Sequence, residues 1–193
     1  MADRFGVFSG EPLAQWLTAP SGGRMMKLLE AFTFTEARTG RLWSAPAGFV
    51  VDGASIPRAL WSIVGSPYTG NYRRASIVHD KACVDFPTDG PERKAADVMF
   101  QAACRAGGCG AFQASILYAG VRIGSSWAKE KGLTQRDEAN EVWLETPPED
   151  RELQERFRAL GRDLQVQEKR FVEDDPEAAV QRVDDALTRH GFG

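Results

Sequence analysis

Hydrophobic and polar positions alternate in short runs over the first third of the chain and then change to a helical spacing. In Ala31-Phe32-Thr33-Phe34-Thr35 the two phenylalanines share one side and the two threonines the other, the period of a half-buried strand. Thr39-Gly40 separates this run from Arg41-Leu42-Trp43, which predicts a hairpin turn. Phe49-Val50-Val51 reads as a further short strand ending at Asp52-Gly53. Glycine and proline punctuate the whole of residues 1–60. From about residue 57 the spacing is helical. Ser55 as N-cap with Pro57 in the first turn predicts a short helix over 58–64. Residues 71–84 place Ala75, Val78, His79 and Ala82 on one helical face. Phe86 to Pro91 breaks that helix. A third helix is predicted over 91–106, opened by Pro91 and stopped by Gly107-Gly108, and a fourth over 110–123.

The pattern changes again after Trp143. Thr146-Pro147-Pro148-Glu149 reads as a linker. Beyond it, Leu153, Phe157, Leu160, Leu164 and Phe171 fall on one seam, and Val180, Val183 and Leu187 form a second stripe after Asp174-Asp175-Pro176. Two amphipathic helices are expected, an αα-hairpin or short coiled coil. Their stripes either pack on the parent domain or dock a partner, which would be a phage structural protein or a second copy joined through 149–190. The fold class expected is therefore α+β. A small N-terminal antiparallel β-sheet is followed by a helical half and a C-terminal helical hairpin, with domains at 1–145 and 146–193.

Charge narrows the function classes. The 193 residues carry a net charge of −3, which argues against binding a phosphate backbone. Residues 149–193 hold the acidic excess, with 12 acidic and 8 basic side chains. The N-terminal residues lack the basic-then-apolar pattern of a leader, and no apolar run reaches the ~20 residues of a membrane span. The expectation is synthesis in the cytoplasm, with association to a virion or release by lysis as later fates. Cys83, Cys104 and Cys109 form no CxxC pair, so structural zinc is not expected, and reduced, partly buried thiols are.

The chemistry concentrates around Val78-His79-Asp80. The chain has two histidines, and the other, His190, is close to the C-terminus. Imidazole titrates near neutral pH without help, so His79 is the natural proton-transfer group. Arg93 and Asp97 are four apart on the third helix, and the bland reading is a surface ion pair worth little. Asp97, however, sits among Ala95, Ala96, Val98, Met99 and Phe100. An acid in such a run is either the helix's exposed edge or buried with a partner, and His79 is the candidate partner. Asp80 is turned about 100° from His79 around the helix, so it is assigned a different role: with Asp52 it could hold calcium or another hard divalent cation, and Ser55 and Arg93 would complete a substrate or cation site. The simpler roles are that Asp52 and Ser55 cap the turn and the helix start. A Ser55–His79–Asp97 triad lacks the Gly-x-Ser-x-Gly elbow. Cys83, one turn from His79, reads first as a structural thiol.

Three blocks carry a family resemblance: Ala45 to Pro57 (APAGFVVDGASIP), Tyr72 to Asp80 (YRRASIVHD) and Arg93 to Phe100 (RKAADVMF). In order and spacing they resemble an uncharacterised family frequent in tailed phages and prophages, domain-of-unknown-function family 1353, over roughly residues 5–125. The resemblance implies a phage setting and no particular activity. Members tend to carry an aromatic where this chain has Cys83, which argues against a cysteine nucleophile. His79, Asp80 and Asp97 are also similar, as parts only, to calcium-dependent phospholipases of the His-Asp-dyad type. There the His activates water, the adjacent Asp binds calcium and a distant Asp orients the His. Two readings follow, and the number of placed aspartates favours the first. One is a small hydrolase of an ester or amide of the bacterial envelope, with His79 as base, Asp97 orienting it and Asp80 with Asp52 at a cation. The other is a non-enzymatic particle, tail or assembly component whose His-Asp cluster is structural. Solvent access to His79 and Asp97 separates them.

Overall fold

The computed structural model describes residues 4–18, 24–51, 56, 60–64, 70–130, 151–173 and 175–192. The architecture is α+β, but the N-terminal strands form two small antiparallel sheets rather than one. β1 (Gly6–Phe8), β4 (Phe32–Glu36) and β5 (Leu42–Ala45) make a sheet in the order β1-β4-β5. β2 (Ala14–Thr18), β3 (Arg24–Leu28) and β6 (Val50–Val51) make the second, in the order β2-β3-β6. In β4 the inward positions are Phe32, Phe34 and, continuing the same period, Glu36. The carboxylate of Glu36 is kept inside by the Thr39 hydroxyl, which donates to it at 2.6 Å, and by Arg38 at 3.4 Å. Gly40, at φ 69°, supplies the left-handed residue of the β4–β5 turn. Gly6 is a close approach: a Cβ there would lie 2.4 Å from the Phe34 ring and 2.5 Å from the Thr35 carbonyl oxygen.

Seven helices are described: α1 (Trp61–Val64), α2 (Arg73–Asp85), α3 (Pro91–Ala106), α4 (Ala111–Glu130), α5 (Arg151–Val166), α6 (Glu168–Glu173) and α7 (Pro176–Arg189). α3 starts at Pro91, whose missing N–H is one of the unpaired helix-entry donors in any case, and ends at Gly107. α4 continues to 130, past the expected end near 123, and its buried face continues through Gly124 and Ser125, whose hydroxyl is held by Asp97 and by the Val121 carbonyl. The first tail helix breaks at Gln167, where the backbone tightens onto Leu164 and the side chain donates to Asp163. Asp175 caps α7 by accepting from the amides of Glu177 and Ala178, both at 2.9 Å. The expected helix start at Ser55 and Pro57, the linker at Pro147-Pro148 and the 145/146 boundary lie outside the described residues.

α2 packs on α3, α3 on α4, the β1-β4-β5 sheet packs on both α2 and α3, and the second sheet meets α2 through β6. The two C-terminal stripes turn inward. Leu153, Phe157, Leu160, Leu164, Phe171, Val183 and Leu187 are buried in the same apolar cluster as α4. Polar contacts tie them down as well, since the Tyr118 hydroxyl donates to Asp184 at 2.8 Å and Lys94 pairs with Asp184 at 2.8 Å. At about 1.5–3 kcal/mol for each large apolar side chain buried, this face is a substantial part of the core.

A buried histidine-carboxylate cluster

Three helices each contribute to one polar cluster. α2 brings His79, α3 brings Arg93 and Asp97, and α4 brings Arg122 and Ser125. His79 Nε2 lies 2.8 Å from Asp97 Oδ1. Arg93 Nε donates to the same oxygen at 3.4 Å. The other carboxylate oxygen accepts from Arg122 Nη1 at 2.9 Å and from the Ser125 hydroxyl at 3.1 Å. Asp97 thus receives four donors, about the number a carboxylate can accept. Arg122 reaches outward to Asp89 at 3.2 Å. His79 and Asp97 are each 0% exposed, and Arg93 is 3% exposed. Phe100 covers the imidazole, with ring centroids 4.7 Å apart.

Electrostatics follow from this packing. For Asp97, burial alone would favour the neutral acid, but the hydrogen bond and charge of His79, with the two guanidiniums, hold its carboxyl below the usual range. For His79, burial opposes the charged ring, yet the Cys83 sulfur and the Asp97 carboxylate outweigh it and raise the imidazole to about 9. At neutral pH the ring therefore carries its proton, the wrong state for a general base. Cys83 Sγ is 3.5 Å from Nδ1 and 3.7 Å from Nε2. A sulfur nearly equidistant from the two ring nitrogens sits over the ring, not in its plane along the Nδ1 lone pair. Burial raises the Cys83 thiol, but His79 and Arg93 bring it below its ordinary value.

The other expected site residues divide as follows. Asp80 is buried, at 4% exposure, on the same helix as His79. Asp52 and Ser55 lie outside the described residues. Among the described residues no group of three or more His, Cys, Asp or Glu side chains is arranged to hold a metal. Arg93 contacts the carboxylate, but at a longer distance than His79 or Arg122. Arg122 and Ser125 were absent from the sequence reading. Their signal was available, because a cation within Gly120-Val121-Arg122-Ile123-Gly124 poses the same question as an acid within the apolar run around Asp97. A cavity of about 220 Å3 lies elsewhere, beside Arg38, Lys94, Gln101, Val180 and Asp184, and neither His79 nor Asp97 lines it. Among the described residues no helix is long and apolar enough to cross a membrane.

Residues 26–121 match the model of a family described as a protein of unknown function (DUF1353). The match runs from β3 into α4, takes in His79, Arg93 and Asp97, and stops one residue short of Arg122. Over 132 residues the chain is 36% identical to "Uncharacterized protein y4jT" of Sinorhizobium fredii (strain NBRC 101917 / NGR234). That alignment covers 67% of this chain and 37% of the relative, so the chain spans little more than a third of that protein's length. No solved structure matches the chain.

Proposed function

We propose that this chain is a non-enzymatic binding or assembly component, of the kind a phage or prophage particle contains, and that its histidine-carboxylate cluster holds three helices in register. The observation that carries this reading is the complete burial of His79 and Asp97. A base that activates water for an external ester or amide must meet both, and here the carboxylate is saturated by protein donors while Phe100 and Cys83 lie against the imidazole. Buried polar networks with every member satisfied rigidify and specify a core. The phage setting comes from the resemblance of the three sequence blocks, and the non-enzymatic character from the geometry.

Cys83 favours a second reading. Sulfur, imidazole and Asp97 carboxylate follow one another within contact distance, the order of a thiol hydrolase. The position of the sulfur over the ring face and the enclosure of the imidazole under Phe100 count against it. One experiment addresses both readings. The full-length protein is incubated with chromogenic esters, amides and purified bacterial envelope, beside His79→Gln and Cys83→Ser. The expected result is no turnover above that of the two variants, together with a lower melting temperature for His79→Gln. Turnover by the native chain that is lost in either variant while it remains folded would establish a hydrolase.

A further inference from the structure

The turn between α3 and α4 carries a second pair of reactive side chains that the cluster does not use. Gly108 N–H donates to the Arg105 carbonyl at 3.1 Å, and Cys109 N–H donates to the Cys104 carbonyl at 2.9 Å. Gly108 has φ 98°. This is a Schellman ending, and its rule is that the side chain three residues before the cap meets the side chain two residues after it. In most proteins that contact is between two apolar groups. Here it is between the thiols of Cys104 and Cys109, which share a side-chain hydrogen bond.

We propose that Cys104 and Cys109 form an oxidisable dithiol, a modification site that closes to a disulfide by exchange with a small disulfide of the oxidised-glutathione class. The backbone sets the distance. With the N–H···O separation at 2.9 Å, the path from one Cα through the carbonyl to the other Cα spans at most about 6.8 Å, within the reach of a disulfide. The turn is also held in place. The Asn71 side chain donates to the Gly108 carbonyl at 3.0 Å, Arg105 donates to the Cys109 carbonyl at 2.8 Å, and a Cβ on Gly107 would lie 2.4 Å from the Asn71 carbonyl oxygen. Cys104 is fully enclosed, and Cys109 is 3% exposed, in a turn whose flanking Gly108 and Gly110 are both exposed. The hydrogen bond from Cys104, against burial and with help from Arg105, lowers the Cys109 thiol, while burial pushes that of Cys104 up. Cys109 is therefore the attacking group and Cys104 the resolving one.

The chemistry balances without a cofactor. The Cys109 thiolate attacks one sulfur of glutathione disulfide, forming a mixed disulfide and releasing one glutathione thiolate. The Cys104 thiol then gives up its proton and attacks the Cys109 sulfur, expelling the second glutathione. Two protein thiols are oxidised to one disulfide, and one glutathione disulfide is reduced to two glutathione thiols. Cys83, on α2 against His79, takes no part.

The test uses the folded full-length chain in oxidised glutathione, followed by acid quench, intact mass and peptide mapping. The expected product has lost two hydrogens, carries a Cys104–Cys109 disulfide and keeps Cys83 free. Cys104→Ser should stop with one glutathione on residue 109. If Cys104→Ser does not fold, the peptide map of the native protein decides alone. Thiols that stay reduced until the protein is denatured, or a disulfide that includes Cys83, would overturn the proposal.

Discussion

Asp97 is the residue on which the cluster turns, because it alone touches every other member. Replacing it by Asn leaves His79, Arg93 and Arg122 facing a neutral group inside the protein. Removing one partner of a buried pair costs about 3–5 kcal/mol, so Asp97→Asn is expected to lose stability on that scale in urea unfolding. His79→Gln should lose less, since its loss leaves Arg93, Arg122 and Ser125 still on the carboxylate. A near-neutral Asp97→Asn would show that the cluster does not hold the fold. The same contacts set a pH window. The His79 pKa is raised from 6.5 to about 9 on folding, so its contribution is fully present below 6.5 and is lost as pH rises through about 9. The Asp97 pKa is lowered from 3.8, so its contribution is present above that value and is lost as pH falls through the folded-state pKa. Arg93 and Arg122 stay charged throughout, and the Cys83 thiol against the same ring is brought below its ordinary value by His79 and Arg93, in opposition to its burial. Melting temperature against pH should therefore fall at both ends, and His79→Gln should flatten the alkaline limb.

At the scale of elements, much of this was legible in the chain. The Phe32/Thr33/Phe34/Thr35 alternation became β4, Pro91 and Gly107 bound α3, and the spacing of His79 and Asp97 placed them on facing helices. Arg122 was legible on the same ground as Asp97, since an arginine in an apolar helix segment also needs a partner. The β4–β5 hairpin was legible at Thr39-Gly40, but the other strand pairings were not. Sheet order depends on contacts distant in sequence, such as β1 with β4 across 24 residues from Ser9 to Thr33, and short strands of similar composition do not encode their neighbours. Gly6 shows how tightly β1 meets β4. A methyl there would collide with the Phe34 ring and the Thr35 carbonyl from a backbone at φ 146°. Gly6→Ala is expected to cost about 1–3 kcal/mol and to speed amide exchange across β1 and β4 first. Unchanged exchange at Phe34 and Thr35 would contradict this register.

For the whole molecule, the decisive relation is between the C-terminal helices and α4. Proline and an acidic shift in the sequence suggested a separable appendage, because linker composition is visible in a chain while the target of an apolar stripe is not. The stripes of α5, α6 and α7 are buried with α4, and Asp184 binds both Tyr118 and Lys94. A chain ending at Glu145 is expected to expose that face of α4, melt at a lower temperature and lose the sharpness of its transition. A truncated chain that melts as the full chain does would show 146–193 to be an independent appendage.

The cluster's role rests on the charge and closure of one ring. Nitrogen-15 NMR of the His79 imidazole, with His190 as the comparison within the same molecule, reads both directly. At neutral pH both ring nitrogens of His79 should carry slowly exchanging protons, and the ring should titrate only near 9, unmodified by diethylpyrocarbonate. A His79 ring that is neutral at pH 7, exchanges quickly and is readily modified would be an accessible base, and would contradict the structural role assigned to the His79–Asp97 pair.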